Sequence, residues 1–241
     1  MSRHLAVLVI GNEVLSGKVD EANARFVIEQ LKPQGGISKM EVVPDEKEAI
    51  KESVLRLSEQ YSFVVTSGGV GPTHDDITVA SIAEAFQTPR KLDQTFAQAI
   101  QDYFKYECTE ALLSMALLPE GTEIIYPEKR AFPVFRFRNL FILPGIPEYF
   151  RSKFLAIKPL LLQPEVFLRQ LYTVLDEGQF AHKLAELEQK YPSLRVGSYP
   201  KLHKNYQVMV TFESIHLQIV EQAVSEMTVW FPPQTLIFNP S

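Results

Sequence analysis

Ten consecutive residues, Ser67-Gly68-Gly69-Val70-Gly71-Pro72-Thr73-His74-Asp75-Asp76, join a glycine-rich turn to two adjacent carboxylates. Three glycines in four positions let the backbone approach a ligand closely and allow φ above zero, so that successive N–H groups can form an anion nest. A helix pattern beginning at Ile77 adds its positive N-terminal end, which makes phosphate or pyrophosphate the expected occupant. Gly68, Gly69, Gly71 and Thr73 are the expected phosphate contacts. Asp75 and Asp76 would repel that occupant unless a cation lay between them. A hard divalent ion takes carboxylate oxygens and keeps positions open for phosphate, so the two aspartates are candidate metal ligands. The alternative is that one of them caps the helix starting at Ile77, a task that needs only one carboxylate.

The elements around this loop follow from apolar spacing. Leu5 to Ile10 is a continuous apolar run suited to a strand buried on both faces of a parallel sheet. Helical spacing covers Asp20 to Leu31, with Asp20 placed as its cap, and Glu46 to Gln60. Strands are expected at Ser38–Val43 and Ser62–Ser67, and a helix at Ile77–Phe86. This β-α-β-α-β-turn-helix order predicts a doubly wound α/β sheet. Helices over Leu92–Tyr106 and Glu110–Ala116, a turn at Leu118–Gly121, strands at Thr122–Tyr126 and Leu140–Leu143, and a helix ending near Leu162 complete a first domain, residues 1–165. A second, residues 168–235, reads as a small α+β unit. Its expected order is strand Gln170–Leu175, helix Gly178–Tyr191, strands Arg195–Tyr199 and Asn205–Glu213, and helix His216–Phe231.

In open α/β sheets ligands bind beyond the carboxyl ends of the strands. Besides the glycine loop, three segments fall at such ends: Gly11-Asn12-Glu13, Pro44-Asp45, and Pro144-Gly145-Ile146-Pro147-Glu148. Gly11, Asn12, Pro144 and Gly145 join the expected substrate contacts. Glu13 and Asp45 join Asp76 as candidate catalytic carboxylates that ligate metal or orient water. Taken singly, Glu13 reads as a solvated loop residue or a cap, and Asp45 as the N-cap of the helix from Glu46. His74 is a possible proton donor or a solvated loop histidine. Cys108 reads as inert packing on a helix. Trp230 and the Phe-rich stretch Phe132–Phe141 read as core or as a contact between copies. No Ser-His-Asp constellation, Gly-Lys-Ser phosphate loop or spaced His/Cys cluster occurs.

The 241 residues are 46% hydrophobic and 22% charged, which is ordinary globular usage. With 29 acidic against 24 basic residues the net charge is −5, so no basic field attracts nucleic acid. The single cysteine excludes an internal disulfide framework, and the six-residue apolar run is too short for a signal peptide core or a membrane span. A cytoplasmic location is expected, with neither nucleic acid nor membrane as partner.

Gly-Gly-Val-Gly-Pro-Thr-His-Asp-Asp with Thr78 following resembles the G-G-x-G-P-T-x-D-D-x-T motif of the CinA family, which shares the molybdopterin-binding fold of MoaB and MogA. Ile10 to Gly17 with Asn23 resembles the family's opening segment, and Leu143 to Glu148 its later proline-glycine turn. Gly197-Ser198-Tyr199-Pro200 and Asn205-Tyr206-Gln207-Val208 resemble the molybdopterin-binding-like domain of eukaryotic-type FAD synthases. The resemblance implies a molybdopterin-binding-like three-layer sandwich with a mostly parallel sheet, plus a small C-terminal α+β domain. It also implies metal-dependent hydrolysis of FAD to FMN and AMP, or of ADP-ribose, with Mg²⁺, Mn²⁺ or Co²⁺ and also K⁺ as expected ions. A nucleotide or pterin is the implied small-molecule partner, and a dimer or trimer the implied assembly. MogA-type relatives instead adenylylate molybdopterin with aspartates that correspond to Asp45 and Asp76, and a non-catalytic binding module is the remaining alternative. The chain departs from the family at Tyr126-Pro127-Glu128-Lys129-Arg130-Ala131-Phe132-Pro133, which lacks the two glycines of the usual Asn-Pro-x-Gly-x-Ala-Pro-Gly segment. It also stops short of a reductase-like domain, so FAD synthesis is not expected of it.

Overall fold

All six residues of Leu5–Ile10 are buried, and alternate side chains enter different cores, as they must in a strand covered on both faces. In the computed structural model, which describes residues 4–126, 132–201 and 204–238, this strand is β1. The chain continues through α1 (Asn12–Leu15), α2 (Asn23–Gln30), β2 (Lys39–Val43), α3 (Lys47–Gln60), β3 (Phe63–Gly68) and α4 (Thr78–Ala85). Next come β4 (Arg90–Leu92), α5 (Gln94–Phe104), α6 (Glu110–Ser114), β5 (Leu117–Pro119), β6 (Glu123–Ile125), β7 (Val134–Phe137), β8 (Leu140–Pro144) and α7 (Pro147–Leu161).

Six strands form one sheet in the order β2-β1-β3-β8-β7-β6, with β2, β1, β3 and β8 mutually parallel, β7 antiparallel to β8 and β6 antiparallel to β7. Ala6, Leu8 and Ile10 pack with Ile50, Val54 and Leu57 of α3 and Ile82 of α4 on one face. Leu5, Val7 and Val9 pack with Ala24 and Val27 of α2 and Phe150, Phe154 and Ile157 of α7 on the other. Each such side chain contributes on the order of 1.5–3 kcal/mol by leaving water, so β1 alone anchors both layers. The result is the expected α/β sandwich with a mostly parallel sheet.

The chain divides into two compact units between Leu162 and Gln163. In the smaller unit β9 (Phe167–Thr173), α8 (Glu177–Lys190), β10 (Arg195–Pro200), β11 (Val208–Ser214), α9 (Leu217–Trp230) and β12 (Leu236–Ile237) form an antiparallel sheet, order β10-β11-β9-β12, with two helices. Val208, Val210 and Phe212 of β11 meet Phe180 and Leu187 of α8 and Val220, Ala223 and Met227 of α9. Trp230 is half-buried and packs against Phe231 and His182 at the border of this core.

Several expectations shift. The helix expected over Asp20–Leu31 begins at Asn23, and its free N–H groups are met by Glu21, whose carboxylate accepts from Ala24 (2.7 Å) and Arg25 (3.3 Å). Longer reach lets Glu21 do what Asp20 was expected to do. The helix expected from Leu92 starts at Gln94 because Asp93 accepts from the Phe96 N–H, and the preceding residues pair as β4 with β5. That pairing also turns part of the expected turn Leu118–Gly121 into strand. Most of the Phe-rich stretch is core, with Val134, Phe135, Phe137, Leu140 and Phe141 buried on β7 and β8, while Phe132 at its start is exposed. In the smaller unit the first strand spans Phe167–Thr173 rather than Gln170–Leu175, because pairing with β11 sets its register, while β12 is too short to leave an apolar pattern. Cys108 follows a single 3-10 turn rather than lying on a helix, and packs against the first core.

Asn139, at the turn between β7 and β8, closes the end of α3. Its side chain donates to the carbonyls of Ser58 and Tyr61, both at 2.9 Å, and accepts from the Ser58 hydroxyl at 2.6 Å. Asn139→Ala is expected to lower the stability of this unit by about 2 kcal/mol in urea denaturation, since the helix-end carbonyls lose their donors. Lys153 of α7 is 7% exposed and donates to the Phe132 carbonyl, and burial lowers its pKa from 10.5 to about 8. Between those values the unfolded chain holds a proton that the native state has released. Stability should therefore rise as pH goes from about 8 to 10.5, and Lys153→Met should remove that slope.

Candidate functional site

Parallel pairing brings the carboxyl ends of four strands to one edge: Ile10 lies beside Val43, Val9 beside Ser67, and Gly68 beside Pro144. The four loops singled out from the sequence leave the sheet there. Gly11 donates to the Val43 carbonyl (3.1 Å), and the Asn12 N–H donates to Asp45 Oδ2 (2.7 Å), so the first two loops are tied together. Asp45 is therefore not the cap of α3, whose N-cap is Glu46 with no side-chain bond. Glu13 is exposed on α1, and its carboxylate folds back over Gly11, where a Cβ would come within 2.8 Å of the carboxyl carbon.

The glycine loop is organised by Asp76. Its Oδ2 accepts from the Thr73 N–H (2.9 Å) and lies 2.5 Å from the Thr73 hydroxyl, which also contacts Asp75 Oδ1 at 2.5 Å. A Cβ on Gly69 would sit 2.7 Å from Asp76 Oδ1, and one on Gly71 2.7 Å from Asp76 Oδ2. The expected reason for these glycines, a left-handed backbone, is corrected: the left-handed glycines are Gly17, Gly35, Gly36 and Gly121. Gly69 and Gly71 are glycine because a carboxylate fills the space a side chain would take. Gly68 is glycine because its backbone passes β1 so closely that a Cβ would meet Ile10 Cβ at 2.7 Å.

Neither aspartate caps the following helix. α4 starts at Thr78, its N-cap Ile77 makes no side-chain bond, and Thr78 N–H reaches the Gly69 carbonyl (3.3 Å). The Thr73 hydroxyl, with smaller help from a backbone N–H and from His74, holds Asp75 below the ordinary carboxylate range. His74 is almost fully exposed, with Nδ1 4.0 Å from Asp75 Oδ1, as a solvated loop histidine would be. Among the described residues no three His, Cys, Asp or Glu side chains converge as a preformed metal centre, so Glu13 and Asp45 do not join the Asp75–Asp76 pair in this arrangement. What the pair does present, with Thr73, is a set of hard oxygen donors suited to a divalent ion that completes its shell with phosphate and water. The Tyr126–Pro133 departure falls largely on residues 127–131, outside the described residues.

Two polar residues absent from the predicted contacts complete the edge. Asn23 on α2 donates to the Ser67 hydroxyl (2.8 Å) and the Gly145 carbonyl (2.7 Å), and Gly145 packs on the Gly68 backbone. Thr78 is buried with its hydroxyl unpartnered beside Gly68. The available signal for Asn23 was its place on the apolar face of α2, one residue before Ala24, where a side chain must be buried.

Because Asp75 gains its low pKa from Thr73, Thr73→Val is expected to raise it toward the ordinary value in an NMR titration. The stability linked to Asp75 is present above its unfolded pKa and is lost as pH falls through the lower folded one. In the variant the folded pKa lies nearer the unfolded one, so the contribution should be smaller and its loss complete at higher pH.

The family described as probable molybdopterin binding domain matches residues 6–163, and the FAD synthase middle domain matches residues 165–240. A probable FAD synthase of Caenorhabditis elegans is 31% identical over 92% of this chain and 49% of its own length, so the chain spans about half of that relative. A protein of Archaeoglobus fulgidus is 30% identical over 91% of this chain and 94% of its own. Among solved structures, the protein CinA of Thermoplasma acidophilum superposes with a TM-score of 0.61 at 27% identity, covering 67% of this chain and 99% of that one. Within the described residues no helix is long and apolar enough to cross a membrane. The chain belongs to the molybdopterin-binding domain family, joined here to a FAD synthase middle domain.

Proposed function

We propose that this chain is a metal-dependent nucleotide pyrophosphatase that hydrolyses FAD to FMN and AMP, or ADP-ribose to its two monophosphates. One observation carries the reading: carboxylate oxygens of Asp75 and Asp76 both lie 2.5 Å from the Thr73 hydroxyl, which has a single proton to give. Two converging anions with one proton between them call for positive charge, and Mg²⁺, Mn²⁺ or Co²⁺ fits these hard oxygens. When bound, such an ion neutralises charge on a pyrophosphate and acidifies water. Asp76, anchored by the Thr73 N–H, would hold it, with Asp75 beside it. The N–H groups of Gly69, Val70 and Gly71 and the uncapped start of α4 would bind the pyrophosphate, the Thr73 N–H being engaged by Asp76. Asp45 or Glu13, on neighbouring loops of the same edge, would orient the water and take its proton as the P–O bond to the leaving phosphate breaks. The family matches support nucleotide or pterin handling in general.

A second reading has an observation in its favour. Asp76 already occupies the glycine loop, and among the described residues no three-carboxylate centre is preformed, as suits a module that binds a nucleotide or a pterin without cutting it. Purified protein incubated with FAD or ADP-ribose and each divalent metal distinguishes the two. Release of AMP that depends on the metal, and its loss in Asp76→Ala with an unchanged circular dichroism spectrum, is the expected result. Tight binding with no AMP, or hydrolysis indifferent to metal, would transfer the assignment to the binding module or refute the metal site.

A further inference from the structure

Asn23 is 5% exposed and spends both amide hydrogens, one on the Ser67 hydroxyl and one on the Gly145 carbonyl. The Gly145 carbonyl has no proton to give, so the amide nitrogen must face it and the orientation of the side chain is fixed. Its Oδ1 is then buried without any donor. Buried acceptors are nearly always paired, and an exception calls for an explanation.

Asn23 lines a cleft of about 50 Å³ with Glu13, Asp20, Glu21, Ser67 and Gly145. This is room for a hydroxyl group or a few waters, too little for a ring. Three of those residues are carboxylates, and Glu21 is already engaged by the α2 N–H groups. The rest of the lining is apolar, including Val9, Ile10, Val14 and Pro147, so the cleft disfavours phosphate and suits a donating hydroxyl carried on carbon. Ser67, which Asn23 touches, immediately precedes the glycine loop, so the cleft adjoins the place assigned to the pyrophosphate. Carboxylates at strand ends bind ribose hydroxyls in dinucleotide-binding sheets by the same logic.

Resting on the nucleotide reading above, we propose that the Asn23 cleft is a sugar-hydroxyl subsite: Asn23 Oδ1 accepts a 2′- or 3′-hydroxyl of the adenosine ribose while the diphosphate lies on the glycine loop. Oδ1 is closed to solvent, so the contact requires a local rearrangement of the cleft lining.

The test is calorimetric binding of ADP, 2′-deoxy-ADP and 3′-deoxy-ADP, all with Mg²⁺, to the whole chain and to Asn23→Ala and Asn23→Asp. Wild type should bind one deoxy nucleotide roughly tenfold more weakly than ADP. Asn23→Ala should bind all three alike, and Asn23→Asp, which keeps an acceptor there, should still discriminate. A purely structural role would weaken all three ligands by one factor and leave their ratios unchanged. Equal binding of the three by wild type, or undiminished discrimination by Asn23→Ala, overturns the subsite. If Asn23→Ala does not fold, wild type and Asn23→Asp decide it. Failure of wild type to bind ADP at all refutes the nucleotide reading itself, a different outcome from binding without discrimination.

Discussion

Parallel hydrogen bonding among β2, β1, β3 and β8 is the constraint on which the rest of the larger unit depends. A parallel pair cannot be closed by a tight turn, so each crossover carries helices, and those helices bury both faces of β1. The same geometry sends every strand of the set out at one edge. Four loops with otherwise unrelated sequences are thereby placed side by side. Gly11, Asn12, Asp45, the glycine loop and Gly145 are neighbours because the sheet is parallel, and any chemistry they share follows from that.

At this edge the glycine loop solves a problem of space before one of charge. Gly69 and Gly71 leave a recess, and the Asp76 carboxylate fills it, accepting the Thr73 N–H. A loop that cradles an anion is therefore already wrapped around one of its own. Asp75 reaches the same hydroxyl from outside and is the more exposed of the two. Negative charge is concentrated at one point of a helix start that has no capping side chain. Under the proposed metal-dependent reading, such a point would take a cation first and a phosphate through it.

The smaller unit is built on different terms. Its strands are antiparallel, its helices share one core around Val210 and Phe212, and α8 begins with a reciprocal bond pair between Asp176 and Gln179. That capping box gives α8 a start that is fixed locally. In the larger unit α2 has a local carboxylate, Glu21, on its first N–H groups, whereas α3 and α4 start without any side-chain cap.

Apolar spacing was enough to place β1, α3, β3 and α7 and to rank the four strand-end loops as the candidate site, because burial on a repeating structure leaves a repeating pattern. The motif from Gly68 to Asp76 pointed to the family for the same local reason. Exposed or short strands left no such trace: β4, β5 and β12 exist through partners distant in sequence, β7 is a four-residue arm of the hairpin with β8, and the start of β9 was set by β11. Side-chain partnerships were equally out of reach. That Asp45 bonds to Asn12 rather than capping α3, that Asp76 turns inward to make its neighbours glycine, and that Asn23 spans Ser67 and Gly145 all depend on distances between chain segments 33, 3 to 7, and 44 to 122 residues apart. By itself the sequence determined which residue types stand at the sheet edge. The tertiary structure alone decided which of them touch, because hydrogen bonds depend on distances of a few ångströms that residue spacing along the chain does not specify.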